Sequence, residues 1–364
     1  MNEKICIVPF TKKEYPLINN LSKTYSCISL VTPKGIGEAG KNISILKNTY
    51  KADYEFSNSI SDGIKNSDVI LITETKKEDR SLYAFALQAL QASITAGKEI
   101  ICFLELEDAE LDLYQQQCKE SDIEHYFFHN SNQYHVETEE EFKNFNIPII
   151  YISEIIPDCD GYDIFLSLIY QMQSDGKRVL AISQDVYNIM FGQIHMTFWT
   201  GTDARKMVYH LNQIVYDLVC SKRPDVLIIR LPEPMMKYDN ENTYDFGLTA
   251  FLLAQAIPGN GCICCTYTGT PTVGFWGNVN ENFTSKFGYP ILGVHVSNQI
   301  IDITAEKWIS TIYIPTLEME KEIKLLNQYN DLEFYNLLKQ EEFNRFYEAL
   351  NSELFEITYG VIEA

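Results

Sequence analysis

The sequence predicts an α/β protein of two Rossmann-like parallel-sheet domains, the second resembling a degenerate P-loop-type domain, with a helical C-terminal tail. Three observations predict it. Short apolar runs alternate with longer segments of helical period, the pattern of βαβ units. The alternation runs through residues 1–146 and starts again at 147. A chain of 364 residues also exceeds the usual size of one core, so two domains, 1–146 and 147–364, are expected.

In the first half the strands are expected at residues 4–8, 27–31, 69–73, 99–104 and 125–128. The clearest helix is 81–96, where Leu82, Phe85, Ala86, Ala89 and Leu90 form one stripe and Gly97 stands at the C-cap position. Residues 130–146 are polar, with Glu139, Glu140 and Glu141 in a row, and read as the crossing between domains. In the second half strands are expected at 147–152, 178–182, 225–229, 261–266, 291–296 and 311–314. Helices are expected at 163–172, 204–220 and 246–256, with Asp245 as a helix N-cap. The unbroken apolar character of 225–229 marks a strand buried on both faces. The tail, 318–350, has helical spacing and many charges and is expected on the outside.

Composition narrows the partners. A formal net charge of -21 speaks against nucleic acid or an anionic membrane surface, which need a basic face. No apolar run is long enough to span a membrane, and the opening residues lack the regions of a signal peptide, so a cytoplasmic protein without membrane insertion is expected. The nine cysteines lie mostly in strand-like apolar runs, such as Cys6, Cys27 and Cys102, which suits reduced thiols. Cys262 and Cys264 would share one strand face and Cys265 the other. Neither a second cysteine pair nor a histidine stands at zinc-site spacing, so no metal site is expected.

Two loops invite a phosphate. After the second strand, Gly35, Gly40 and Lys41 have the spacing of a phosphate-binding loop, whose backbone amides and lysine wrap the anion. Asn42 stands where Mg²⁺ needs a Ser or Thr, and Glu38 adds a negative charge. A glycine-rich turn at the sheet edge is the competing reading. The second loop, after 147–152, joins strand to helix as a phosphate loop should. It has no lysine and three acids, Glu154, Asp158 and Asp160, which repel a triphosphate that no metal screens. No cofactor is expected there.

A ligand site is expected at the C-terminal ends of the second domain's strands, where open α/β sheets bind. Its candidates are His195 and Trp199, in an aromatic cluster after strand 178–182, and Arg230 and Glu233, in the two-proline loop after strand 225–229. His195 has the chemistry of an acid, a base or a ligand; ordinary packing of His195 and Trp199 in the core is the competing reading. No serine elbow or other nucleophile signature is present, and no catalytic residue is assigned.

The order of segments resembles the clostridial peptide maturation system proteins. The resemblance is carried by Val31-Thr32-Pro33-Lys34-Gly35 with Gly40-Lys41, by Asp175-Gly176-Lys177-Arg178-Val179, and by Phe191-Gly192 with His195. It continues through Arg223-Pro224-Asp225-Val226-Leu227-Ile228-Ile229, Phe246-Gly247 and Val296-Ser297-Asn298-Gln299-Ile300-Ile301-Asp302. It implies an accessory protein in the maturation of a ribosomally synthesised, modified peptide, with a precursor peptide or a modifying enzyme such as a radical maturase as partner. Where that family has a Gly-Pro-Gly-Gly element this chain has Arg230-Leu231-Pro232-Glu233-Pro234. Where it has Thr-Asp-Lys this chain has Cys159-Asp160-Gly161, and the lost lysine weakens a nucleotide role. The alternative is a small-molecule or nucleotide-dependent enzyme acting from a cleft in the second domain.

Overall fold

Apolar and β-branched runs build two separate parallel sheets. The computed structural model describes residues 3–34, 54–129, 141–198, 203–270, 274–301 and 311–356. The chain divides into two compact units, Met1–Asn132 and Gln133–Ala364.

The first unit holds β1 (Lys4–Val8), β2 (Cys27–Val31), β3 (Tyr54–Ser57), β4 (Val69–Ile72), β5 (Glu99–Cys102) and β6 (His125–Phe127). They pair in the order β3-β2-β1-β4-β5-β6, all parallel. That is the doubly wound order of dinucleotide-binding sheets. The helices are α1 (Tyr15–Leu21), α2 (Ile60–Lys65), α3 (Arg80–Thr95) and α4 (Asp108–Glu120). The Asp79 carboxylate caps α3 by accepting from the Leu82 N–H at 3.2 Å. Ala86, Ala89 and Leu90, on the stripe read from the sequence, pack with Ile70, Ile72 and Ile100 of the sheet.

The strand order of this sheet reverses between β1 and β4, the place where such sheets receive a ligand. The turn after β1 is Pro9-Phe10-Thr11, without the glycines that let a backbone approach a pyrophosphate. Its groups are bonded internally. Thr11 N–H and Oγ1 both donate to the Glu14 carboxylate, at 2.8 and 2.7 Å, and Thr73 Oγ1 donates to the Pro9 carbonyl at 2.7 Å. Gly35, Gly40 and Lys41, the glycine-rich candidates, lie outside the described residues.

The second unit holds β7 (Ile149–Glu154), β8 (Val179–Ser183), β9 (Ile194–His195), β10 (Val226–Arg230), β11 (Gly261–Tyr267), β12 (Ile291–Ser297) and β15 (Phe334–Tyr335), in the order β15-β12-β11-β7-β10-β8-β9. Every pair is parallel. Its helices are α5 (Gly161–Ser174), α6 (Ala204–Lys222), α7 (Leu248–Ala256), α8 (Phe275–Asn282), α9 (Thr316–Tyr329) and α10 (Gln340–Asn351). The first strand, β7, is central. The chain lays β8 and β10 to one side of it, then β11 and β12 to the other, so the β7–α5 loop stands at the reversal. Residues 141–146 belong to this unit by their bonds: the Lys143 N–H donates to Asn212 Oδ1 on α6 at 2.8 Å.

The strand expected at 311–314 is present as β14 (Thr311–Tyr313), which pairs antiparallel with β13 (Gln299–Ile301) outside both parallel sheets. One expectation needs correction. The tail is helical, yet it is not an outer layer alone. Between α9 and α10 it supplies β15, whose fully buried Phe334 meets Trp276 edge-on at 5.3 Å. Among the described residues no helix is long and apolar enough to cross a membrane.

Candidate functional site

The site is built from β7 outward. This strand ends at Glu154, residues 155–160 turn, and α5 starts at Gly161. Backbone N–H groups exposed at such a turn are an anion seat, because the first helical amides lack partners and the helix dipole adds positive potential. Here the seat is filled from within. Glu154 Oε1 accepts from the Cys159 N–H at 2.7 Å and the Gly161 N–H at 3.2 Å. Gly161 makes this possible, since a Cβ there would lie 2.7 Å from Glu154 Cδ. Asp158 and Asp160 take φ of 67° and 65°, the left-handed conformation that short polar side chains tolerate.

Arg230 closes the arrangement from the end of β10. It lies opposite Ile152 in register, so it projects from the same sheet face as Glu154. One terminal nitrogen donates to Glu154 Oε2 at 2.7 Å and the other to Asp185 Oδ2 at 2.7 Å. The guanidinium also lies 5.7 Å from the Tyr162 ring centre. Burial lowers the tendency of Arg230 to hold its proton, but the Asp185 and Glu154 carboxylates outweigh that and strengthen it. Burial pushes the Glu154 carboxyl above the ordinary range, and Arg230 opposes the rise.

The network extends along the strand ends. Ser183 Oγ donates to Asp185 at 2.9 Å, Asn188 Nδ2 donates to Ser183 Oγ at 2.8 Å, and Tyr162 OH donates to Asn188 Oδ1 at 3.0 Å. Asn188 Nδ2 also bonds the Ile194 carbonyl of β9 at 3.0 Å. The ends of β7, β8, β9 and β10 are therefore tied by one set of side chains.

A second buried pair was not read from the sequence. His295, fully buried on β12, places Nε2 3.2 Å from Asp160 Oδ2. Its Nδ1 accepts from the Leu337 N–H at 3.0 Å. With Nδ1 accepting, Nε2 is the nitrogen that donates to Asp160. His295 faces Cys265 in register, and Cys265 faces Glu154. Both imidazole nitrogens are thus committed to structure, and burial drives the Cys265 thiol well above its usual range. This constellation holds the loop, with the thiol kept protonated by its burial. A helical signal would not have found His295, because it lies in an ordinary apolar strand and meets Asp160 only through the fold.

The sequence-derived candidates fall as follows. Arg230 is mostly buried in the triad just described. His195 is half-buried on β9 opposite Ser183, two strands from β10, or about 10 Å across the sheet. Glu233 is exposed on the loop after β10; partial burial and the Asp245 carboxylate push its carboxyl up, and Arg230 opposes them. All three stand at the C-terminal edge of the second sheet. Trp199 lies outside the described residues. Asp185, whose carboxylate completes the triad, was passed over because an acid just after a strand carries no signal of its own.

A similar filling occurs after β11. The Gly269 N–H donates to both oxygens of Glu322, on α9, at 2.7 and 2.8 Å. The carboxyl of Glu322 is raised by burial, and the Gly269 and Thr270 amides oppose the rise. Two backbone seats on one edge are thus taken by the protein's own carboxylates. Among the described residues no group of three or more His, Cys, Asp or Glu is placed to hold a metal ion.

No family model matches the sequence, and no curated protein matches it. Among solved structures the chain is similar to a DUF1611 family protein from Anabaena variabilis, with a TM-score of 0.61 and 10% identity over 96% of this chain and 100% of that one. A weaker likeness, TM-score 0.36 and 12% identity, covers 59% of this chain and 97% of cobyrinic acid a,c-diamide synthase from Mycobacterium smegmatis. The first likeness establishes a shared two-domain α/β fold; at this identity it carries the fold alone.

Proposed function

We propose that this chain is an accessory protein in the maturation of a ribosomally synthesised peptide, and that it binds the precursor peptide or its modifying enzyme. The resemblance in the motifs from Val31 to Asp302 supports it. The observation that carries it is the filled seat at β7–α5: Glu154 occupies the amides that a phosphate would use, and Arg230 locks it there. A nucleotide-dependent reaction at this loop would require Glu154 to leave, and Asp158, Asp160 and Asp163 would still repel the phosphates. What the edge offers instead is aromatic and acidic side chains on shaped loops, which suit a peptide. We place the protein in the cytoplasm, since its nine free cysteines fit a reducing compartment.

Reconstitution tests the reading. A precursor peptide and its modifying enzyme, of the kind the resemblance implies, are incubated with and without the purified protein, and modified peptide is measured by mass spectrometry. Modification should rise several-fold with the protein, and one of the two components should co-elute with it. Equal modification with no co-elution would refute the proposal, as would micromolar Mg²⁺-ATP binding by calorimetry that stimulates a turnover.

A further inference from the structure

Between β10 and α7 the backbone adopts a left-handed turn. Tyr244, Asp245 and Phe246 have φ of 41°, 53° and 59°, and Gly247 follows at 71°. Tyr244 and Phe246 disfavour that conformation, because Cβ crowds the following carbonyl, whereas Asp245 tolerates it. The surroundings enforce it. Asp245 accepts from the Gly247 and Thr249 N–H groups, both at 2.9 Å, and the Phe246 N–H donates to the Thr243 carbonyl at 2.7 Å. Gly247 presses on β10's loop so closely that a Cβ would stand 2.0 Å from the Met235 carbonyl oxygen. The effect of this construction is to hold Phe246 out in water, 63% exposed, beside Leu248 at 45%. Both backbone preference and the hydrophobic effect oppose that placement, so an exposed apolar knob on a fixed turn marks a contact surface.

The same loop is acidic. From Leu231 to Thr249 it carries Glu233, Asp239, Glu241 and Asp245 against Lys237. Lys237 donates to Asn240, and Arg230 is committed to Glu154 and Asp185. Like charges crowd here: burial and then Asp245 raise the Glu233 carboxyl, and burial together with Asp239 and Glu233 pushes the Tyr244 phenol up to about 12. Tyr238, 42% exposed, offers a ring beside Tyr267, with centroids 6.4 Å apart.

We propose that this surface docks a peptide segment bearing lysine or arginine next to an apolar side chain, with Phe246 and Leu248 taking the apolar group and Glu233 and Tyr238 the cation. Ring faces and carboxylates both attract such cations. The inference rests on the peptide-binding reading above and names the chemistry of the peptide. A second copy of this chain is the rival occupant, and its charge of -21 would oppose the contact.

The test uses the full-length protein and a fluorescein-labelled synthetic peptide of Leu-Leu-Lys repeats, with a Leu-Leu-Glu counterpart, read by fluorescence polarisation. Phe246→Asn is the informative variant: asparagine adopts the left-handed conformation readily, so the ring is removed while the turn is kept. The lysine peptide should bind and the glutamate peptide should not. Phe246→Asn and Glu233→Gln should each weaken binding about tenfold or more at an unchanged melting temperature, and added salt should weaken the wild type. Equal binding of both peptides, wild-type affinity in Phe246→Asn, or a sedimenting dimer that Phe246→Asn abolishes would overturn the inference. The reconstitution separates the two readings. If Phe246→Asn supports maturation as well as wild type does, the docking surface falls and the accessory role stands. If the variant loses the lysine peptide while maturation never depended on the protein, the accessory role falls and the docking surface stands.

Discussion

Replacing Arg230 by methionine should unfold the second unit at a markedly lower temperature. Methionine matches the aliphatic stem but removes the cation between Glu154 and Asp185. The side chains of the three residues are 16%, 9% and 20% exposed for Arg230, Glu154 and Asp185, so two carboxylates would be left poorly solvated and facing one another. Breaking such a buried pair on one side costs about 3–5 kcal/mol. The partial exposure of Asp185 places this case at the lower end, about 3 kcal/mol, which for a unit of this size is a fall of about 6–12 °C in melting temperature. Arg230→Lys, which keeps the charge but cannot bridge both partners, should fall between. Two internal controls follow. Adding Glu154→Gln to Arg230→Met should recover much of the loss, because glutamine still accepts from Cys159 and Gly161 without the charge. The deficit of Arg230→Met should also shrink as pH falls from 7 to 5. Carboxyls that lose their cation have a raised folded pKa, bind protons more tightly folded than unfolded, and so gain stability on acidification. Calorimetric melts at the two pH values measure both effects. If Arg230→Met melts within about 1 °C of wild type at pH 7, the triad does not organise this edge and the account of the filled seat is wrong.

Three further outcomes are expected. Gly161→Ala should destabilise the second unit by about 1–3 kcal/mol, since its Cβ collides with Glu154 Cδ under the start of α5; urea denaturation showing no change would mean that Glu154 moves freely. His295→Leu should cost about 2–4 kcal/mol, because the buried Leu337 N–H loses its acceptor and Asp160 loses a donor; hydrogen exchange at Leu337 should quicken, and unchanged protection would contradict the assigned bond. Arg178 bonds to Asp225 hold that carboxyl down at about 2, against an ordinary 3.8. A lowered folded pKa gives stability that is present above pH 3.8 and lost as pH falls toward 2. Asp225→Asn should therefore lower the melting temperature at neutral pH and converge with wild type in that acid window, and parallel curves down to pH 2 would refute the pairing.

Much of the edge was written in the chain as pattern. Apart from β3 and β9, the strands from β1 to β12 showed as apolar runs, and α3 showed as a stripe with its glycine stop, because burial on a sheet or helix face imposes a period that residues cannot hide. What escaped was short, polar or non-local. β3 is four residues, Tyr54–Ser57, too few for a period. α4 is mostly polar, although Leu111, Tyr114 and Cys118 do fall on one buried face. β15 lies inside a tail whose charges suggested an outer layer; Phe334 is buried only because the edge of β12 was open to receive it.

The sequence by itself determined two α/β units, the acidity of the β7–α5 loop and the want of a lysine there, and those suffice to argue against a polyphosphate. It did not determine what fills the seat. Glu154, Asp185 and Arg230 come from the ends of three strands, and Asp160 meets His295 across 135 positions of chain. Local propensity constrains neighbours in sequence, whereas an ion pair between strand ends is set by strand order and register. Parallel strands bring all their C-terminal ends to one edge. Which side chains converge there depends on the order β11-β7-β10-β8, and that order exists only once this sheet has assembled.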